Sequence, residues 1–250
     1  MLLLSRLAAR RPQPTGASAV TLPLAFGLFV VCGTAPAPSP AGAAPVVAPA
    51  DTLLARLWSE GQEWPEFLDD TRRRRDTWHD NYERATVFAD LAERVRAVPG
   101  TWRLLVVAVD SCGDSANTIP YLARFVEGVD GLEMRVVEPD VGQFVMDAHP
   151  TPDGRGATPT VVVMDAEGAN RGCWVERPAG LQSWWIANPD DLSTRDKLER
   201  KYGWYDDDAG YHTILEIVES VEAAAGGGHL CGRPLEDGGP WPAAGPSGGR

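Results

Sequence analysis

The 250-residue sequence predicts an α/β domain: a central mixed sheet flanked by helices, with an N-terminal helical extension. Three observations carry this expectation. Residues 104–109 form a continuous valine-rich apolar run, which suits a strand buried on both faces. Directly after it, Ser111-Cys112-Gly113-Asp114-Ser115 leads into Ile119, Leu122, Phe125 and Val126 at helical spacing, so a strand feeds a helix with a cysteine at the joint. Further on, the β-branched run 160–164 is followed by a turn at Glu167-Gly168 and a return strand over 171–175, which reads as a hairpin.

The remaining elements follow in chain order. Residues 1–43 read as a leader: Arg6, Arg10 and Arg11 give a basic start, and residues 19–32 are an uncharged, mostly apolar stretch too short to span a membrane comfortably. Small-x-small cleavage sites occur at Ala35-Pro36-Ala37 and Ala41-Gly42-Ala43, and Cys32 stands where a lipidated cysteine would. Export is therefore expected, with a cytoplasmic protein behind a misassigned start as the alternative. Residues 34–50 read as an Ala/Pro-rich linker, and the folded domain is expected over 51–225, its helical extension over 51–100 and its core over 101–225. Leu53, Leu54, Leu57 and Trp58 recur at helical spacing behind an Asp51-Thr52 cap, and Trp64-Pro65 opens a second helix. Trp78, Tyr82, Val87, Phe88, Leu91 and Val95 predict a further helical stretch, which Pro99-Gly100 stops. Residues 132–137 read as a second strand, 144–146 as a short helix, and 149–158 as a turn-rich loop. A helix is expected over 181–186. The last helix carries Ile214, Ile217, Val218 and Val221 on one face behind a Thr213/Glu216 capping box, and 226–250 reads as a disordered tail containing Cys231.

The formal net charge of −12 argues against nucleic acid, whose binders need clustered, uncompensated Lys and Arg. The basic run 72–75 sits among Asp69, Asp70 and Asp76 and reads as a solvated helix face. Membrane attachment is expected only through the leader or a lipid on Cys32. Cys32, Cys112, Cys173 and Cys231 are too few and too dispersed for a disulfide scaffold, and no pair has metal-ligand spacing, so neither metal nor other cofactor is expected.

Chemistry centres on Cys112. A thiol is a nucleophile as thiolate, and a helix N-terminus favours the anion through unpaired N–H groups and the dipole. Asp110 and Asp114 oppose a further negative charge, so modest activation is expected. A strand, then Cys-Gly-x-x opening a helix, then a strand and helix, then Thr158-Pro159 leading an antiparallel hairpin, resembles the thioredoxin fold. The resemblance implies that Pro159 is the cis-proline packed against the active cysteine, with Thr158 offering backbone groups to a bound peptide or thiol. It extends to a bacterial branch of thioredoxin-like proteins whose motif is Cys-Gly-Asp followed by Cys, Ala or Ser. The matching stretches are 78–82, Cys112-Gly113-Asp114-Ser115 with Pro120, 156–159, Arg177-Pro178, Trp204-Tyr205, and 208–216, together spanning about 52–222.

The departures from that pattern set the expected activity. Ser115 replaces the resolving cysteine, Ser111 the usual preceding tryptophan, and Val106 a buried proton-shuttling carboxylate. The resemblance then implies a monothiol protein with Cys112 as nucleophile, Ser115 as hydrogen-bond donor to the thiolate and Asp114 beside them. Ser111, Gly113, Thr158, Pro159 and Arg177 would contact the partner. That partner is expected to be a protein disulfide or thiol, or a small thiol that completes the exchange. Arg177 could offset Asp114, as could His149, while Cys173 is read as strand packing. The alternatives are a turnover-deficient binding or chaperone module, and a monothiol-glutaredoxin-like carrier of an iron-sulfur cluster.

Overall fold

The computed structural model describes residues 49–187 and 192–234, together with 243, 245 and 246; the leader, Cys32 and most of the linker lie outside the described residues. All the described residues belong to one unit, Val46–Arg250. Four helices come first: α1 (Pro49–Glu60), α2 (Trp64–Asp70), α3 (Arg75–Arg84) and α4 (Ala89–Arg96). Then follow β1 (Trp102–Val107), α5 (Gly113–Glu127), β2 (Leu132–Val137), α6 (Pro139–Ala148), β3 (Thr160–Met164), β4 (Asn170–Val175), α7 (Ala179–Ala187), α8 (Thr194–Asp208), α9 (Tyr211–Ala225) and β5 (Leu230–Cys231). The five strands form one mixed sheet in the order β2-β1-β3-β4-β5. Strand β1 runs parallel to β2 and antiparallel to β3, β3 antiparallel to β4, and β4 parallel to β5.

The valine-rich run becomes a central strand because both of its faces are covered. Leu104 and Val106 join Trp78, Ile119, Leu122 and Ile217 in the larger core, under α2 to α5 and α9. Leu105 and Val107 point the other way, into a second core with Leu54, Leu57 and Val145 from α1 and α6. Every one of these strand residues is fully buried. At roughly 25 cal/mol per Å² of apolar surface, burying each such side chain contributes about 1.5–3 kcal/mol.

Several expectations need correction. Helix α1 starts at Pro49, ahead of the Asp51-Thr52 cap, and Leu53 faces solvent. The stretch from Trp78 to Val95 is two helices, because the chain turns extended at Ala85 and again at Phe88. Only Arg75 of the basic run is helical; Arg74 adopts a left-handed conformation that turns the chain into α3. No Thr213/Glu216 capping box forms: α9 begins at Tyr211, and Glu216 instead accepts from Trp174 Nε1 and the Ala179 amide, both at 2.8 Å. Helix α8 was not anticipated at all. Its stripe Lys197, Lys201, Trp204, Tyr205 and Asp208 is buried, yet three of the five residues are charged, so a search for apolar periodicity passes over it.

The tail is ordered at its start. Leu230 and Cys231 pair with Gly172 and Cys173, and Cys173 and Cys231 form a disulfide with a Cα–Cα distance of 4.2 Å. Cys173 is therefore a bridged residue as well as a packed one. The parallel pairing carries Cys231 to the sheet edge, a contact between residues 58 apart in sequence.

Candidate functional site

The site is built where β1 hands over to α5. After Val107 the chain turns through Asp110 and Ser111, and the segment leading from α2 into α3 pins this turn from outside. The Arg72 and Arg73 amides donate to Asp110 Oδ2 at 2.9 and 2.8 Å, Trp78 Nε1 donates to the Asp110 carbonyl at 3.0 Å, and Arg74 Nε donates to the Ser111 carbonyl at 2.9 Å. The basic run thus serves as a brace for the loop. Cys112 follows in extended backbone (φ −77°, ψ 124°) and is itself the N-cap of α5, its sulfur accepting from the Ser115 amide at 3.5 Å. Sulfur occupies the place that a serine or aspartate oxygen fills in other helices. On its other side the thiol donates to the Thr158 carbonyl at 3.2 Å. The sulfur lies between a donor and an acceptor, and its residue is half-buried.

Helix α5 tolerates Pro120 because the structure repairs the ladder around it. Proline cannot donate to the carbonyl four residues back. That carbonyl, on Ala116, accepts instead from Asn81 Nδ2 at 2.7 Å. In the first turn, Asn117 Nδ2 donates to the Gly113 carbonyl and Thr118 Oγ1 to the Asp114 carbonyl. Gly113 packs directly under Tyr202 of α8, whose hydroxyl would have to move to admit a Cβ there.

Asp114 is the centre of a buried charge network. Its carboxylate accepts from Lys201 Nζ at 2.9 Å, Tyr205 Oη at 2.9 Å and Arg177 Nη2 at 3.2 Å. Arg177 also donates to Glu176 at 2.7 Å and to Gln182 at 2.6 Å, and Glu176 accepts from Arg155 at 2.8 Å. Burial works against ionisation of Asp114, but Arg177 and then Lys201 outweigh it and hold the carboxyl below its ordinary range. Burial, followed by the Asp114 charge, drives the Tyr205 phenol well above its usual value. The cationic heads of Arg177 and Lys201 also lie over the Trp185 ring, at 4.8 and 5.2 Å. The connected set holds three cations, Arg155, Arg177 and Lys201, and three carboxylates, Asp114, Glu176 and, at its exposed end, Asp153. Arg177, the residue expected to offset Asp114, lies against it together with Lys201, so the carboxylate charge is matched where it lies.

The structure brings most of the anticipated residues together. Cys112, Gly113, Asp114 and Ser115 form the first turn of α5, and Thr158 reaches the sulfur with its carbonyl. The Thr158–Pro159 peptide is cis, and buried Pro159 accepts from the Glu176 amide at 2.7 Å, tying the loop to the end of β4. Arg177 joins through Asp114, and Ser111 offers its carbonyl to Arg74. Two expected roles change. The Ser115 amide, not its hydroxyl, serves the sulfur; Ser115 Oγ is buried and makes no hydrogen bond among the described residues. His149 does not approach Cys112; its ring lies between Asn170 (3.2 Å from Nε2) and Cys231 (3.8 Å from Nδ1). Lys201, Tyr202, Tyr205, Glu176, Arg155 and Gln182 were not anticipated. The one available signal was the helical spacing of residues 197, 201, 204, 205 and 208.

Comparisons with known proteins agree with this architecture. A family model described as thioredoxin (Thioredoxin_9) matches residues 61–193, just over half of the chain. A solved protein of unknown function from Pseudomonas aeruginosa superposes with a TM-score of 0.54 at 18% identity, covering 68% of this chain and 97% of its own. An HIV epitope-scaffold gives a TM-score of 0.52 at 20% identity with the same two coverages. At these identities the likeness concerns the fold alone. No curated protein matches the chain.

Proposed function

Because the chain belongs to the thioredoxin family, we propose that it is a monothiol member that acts in thiol-disulfide exchange by forming mixed disulfides through Cys112. The observation that carries this reading is the setting of the sulfur, half-buried at the cap of α5 between the Ser115 amide and the Thr158 carbonyl. The thiol form has an acceptor in Thr158, and the thiolate has a donor in Ser115 and the positive end of the helix. In the exchange, the Cys112 thiolate attacks one sulfur of a partner disulfide. A new Cys112–partner bond forms, the partner's own bond breaks, and the departing thiolate takes up a proton from solvent. With Ser115 in the resolving position, release requires a second thiol, from a small molecule such as glutathione or from a protein. Thr158 and Pro159 form the ledge against which the partner lies, with Ser111 and Gly113 on the opposite lip. Asp114 and Arg177 act as positioning residues that fix the first turn of α5.

The Cys-Gly-Asp-Ser run supports membership of the bacterial branch with the Cys-Gly-Asp-(Cys/Ala/Ser) motif, and the basic, apolar start supports export behind a leader over 1–43. A cytoplasmic setting follows instead if the start lies downstream. A second reading, a fold-retaining binding module without turnover, is favoured by the Ser115 hydroxyl, which makes no bond to the sulfur. Alkylation at near-neutral pH separates the two. The exchange reading expects Cys112 to be labelled faster than a cysteine in the unfolded chain; labelling no faster would leave the binding module. Replacing Cys112 with Ser should abolish the cellular phenotype in the first case and leave it intact in the second.

A further inference from the structure

We infer that His149, Cys173 and Cys231 form a redox-gated zinc site: a disulfide in the oxidised protein, and a three-ligand zinc centre once that disulfide is reduced. The donor atoms come from three elements far apart in sequence: the C-cap of α6, β4 and β5. Pairwise spacing along the chain therefore gave no hint of them.

The geometry is already close to what the metal requires. The imidazole and the two sulfurs offer ligand atoms that all lie within 4.8 Å of one another. Tetrahedral zinc with Zn–S of about 2.3 Å and Zn–N of about 2.0–2.1 Å sets donors roughly 3.6–3.8 Å apart. His149 Nδ1 and Cys231 Sγ stand at 3.8 Å. Cys173 and Cys231 are register partners in the parallel β4–β5 pair, so their sulfurs can separate to that spacing by side-chain rotation alone. Asn170 Nδ2 stands 3.2 Å from His149 Nε2; ligation through Nδ1 puts the ring proton on Nε2, and a 180° turn of the Asn170 amide presents Oδ1 to accept it. An oxygen acceptor on the outer ring nitrogen is what a ligating histidine normally has. A cavity of about 250 Å³ lined by His149, Trp174, Glu216 and Cys231 opens beside two of the three donors, leaving room for water as the fourth ligand.

The chemistry balances with a dithiol as reductant. The dithiol is oxidised to its own disulfide, and its two electrons and two protons convert the Cys173–Cys231 bond into two thiols. Zinc then displaces those two protons and is held by two thiolates and neutral imidazole. Oxidation reverses the sequence and expels the metal.

The test uses the full chain, reduced anaerobically with a phosphine that binds no metal, desalted, and loaded with Zn²⁺ alone. The reduced protein should retain about one equivalent and the oxidised protein none. Co²⁺ in its place should give the thiolate charge-transfer bands of a tetrahedral two-sulfur site. Cys112→Ser should keep the metal, Cys231→Ser should lose it, and His149→Ala should weaken binding at least about tenfold. Thermal unfolding covers the case in which reduction loosens the fold: zinc should raise the melting temperature of the reduced protein and leave that of the oxidised protein unchanged. Zinc held equally by Cys231→Ser, lost with Cys112→Ser, or without effect on melting of the reduced chain would each overturn the proposal.

Discussion

The thiol of Cys112 lies 3.2 Å from the carbonyl oxygen of Thr158, a contact that joins the first turn of α5 to the loop before β3 across 46 residues of sequence. It follows from topology. Strands β1 and β3 are antiparallel neighbours, so the end of β1 and the start of β3 meet at one edge of the sheet. Val107 pairs with Thr160, and the cysteine and proline loops leave side by side. The Thr158-Pro159 loop and Cys112 are thereby set next to each other before any side-chain detail is considered.

Asp114 gives the first prediction. Asp114→Asn leaves Arg177 and Lys201 buried without their shared carboxylate, which should cost about 3–5 kcal/mol of stability in urea unfolding. The same change removes a negative charge two residues from Cys112, so alkylation of Cys112 in the folded variant should become severalfold faster. A loss of stability together with slower alkylation would contradict the network as drawn.

The pH dependence follows from the same carboxylate. Its folded-state ionisation lies below the ordinary aspartate range, so the native state binds this proton less readily than the unfolded chain. The sign is then fixed: this stabilisation is fully present above about pH 4, the ordinary aspartate value, and is lost as pH falls through the lower folded value. Chemical unfolding measured from neutral to acid pH should show a steeper acid loss for the wild type than for Asp114→Asn.

Much of this arrangement could be read from the sequence, and the exceptions share a cause. Strands β2 and β3 fall at the expected residues, while β1, expected over 104–109, spans Trp102–Val107, two residues earlier, because its ends are set by pairing with β2 and β3 and not by its apolar run alone. The position of Cys112 followed from a strand running directly into helical spacing. Helix α8 was hidden because it buries Lys197, Lys201 and Asp208, and burial of charge is legible only once the partners are known. Lys201 takes its meaning from Asp114, 87 residues earlier. The Cys173–Cys231 bridge was hidden in the same way, its second half lying in a glycine-rich stretch that reads as tail. The Ser115 hydroxyl was assigned a donor role on chemistry alone; the helix turns it away from the sulfur and presents the amide instead.

Tyr202 and Gly113 should be energetically coupled. Gly113→Ala places a methyl group against the Tyr202 hydroxyl, and the ring must move to admit it. A cost of about 1 kcal/mol is expected in the wild-type background and much less in Tyr202→Ala. Urea unfolding of the four proteins in this double-mutant cycle measures the coupling; additive effects would show that the two residues do not touch.

The disulfide closes a loop of 58 residues. By loop-closure entropy its removal should cost about 4 kcal/mol, measured as the difference between wild type and Cys231→Ser in metal-free urea unfolding. Cys112 alkylation should be unchanged in that variant, because β4 carries Cys173 opposite Val162, two residues in from the Thr160–Val175 pair beside Pro159.

The most direct test of the central claim is intact-mass spectrometry of the protein after brief exposure to a disulfide-bonded model peptide. A single peptide adduct on Cys112 that persists until a small thiol is added, and that Cys112→Ser does not form, is the predicted result. An unmodified mass, or an adduct that disappears with no added thiol, would contradict it.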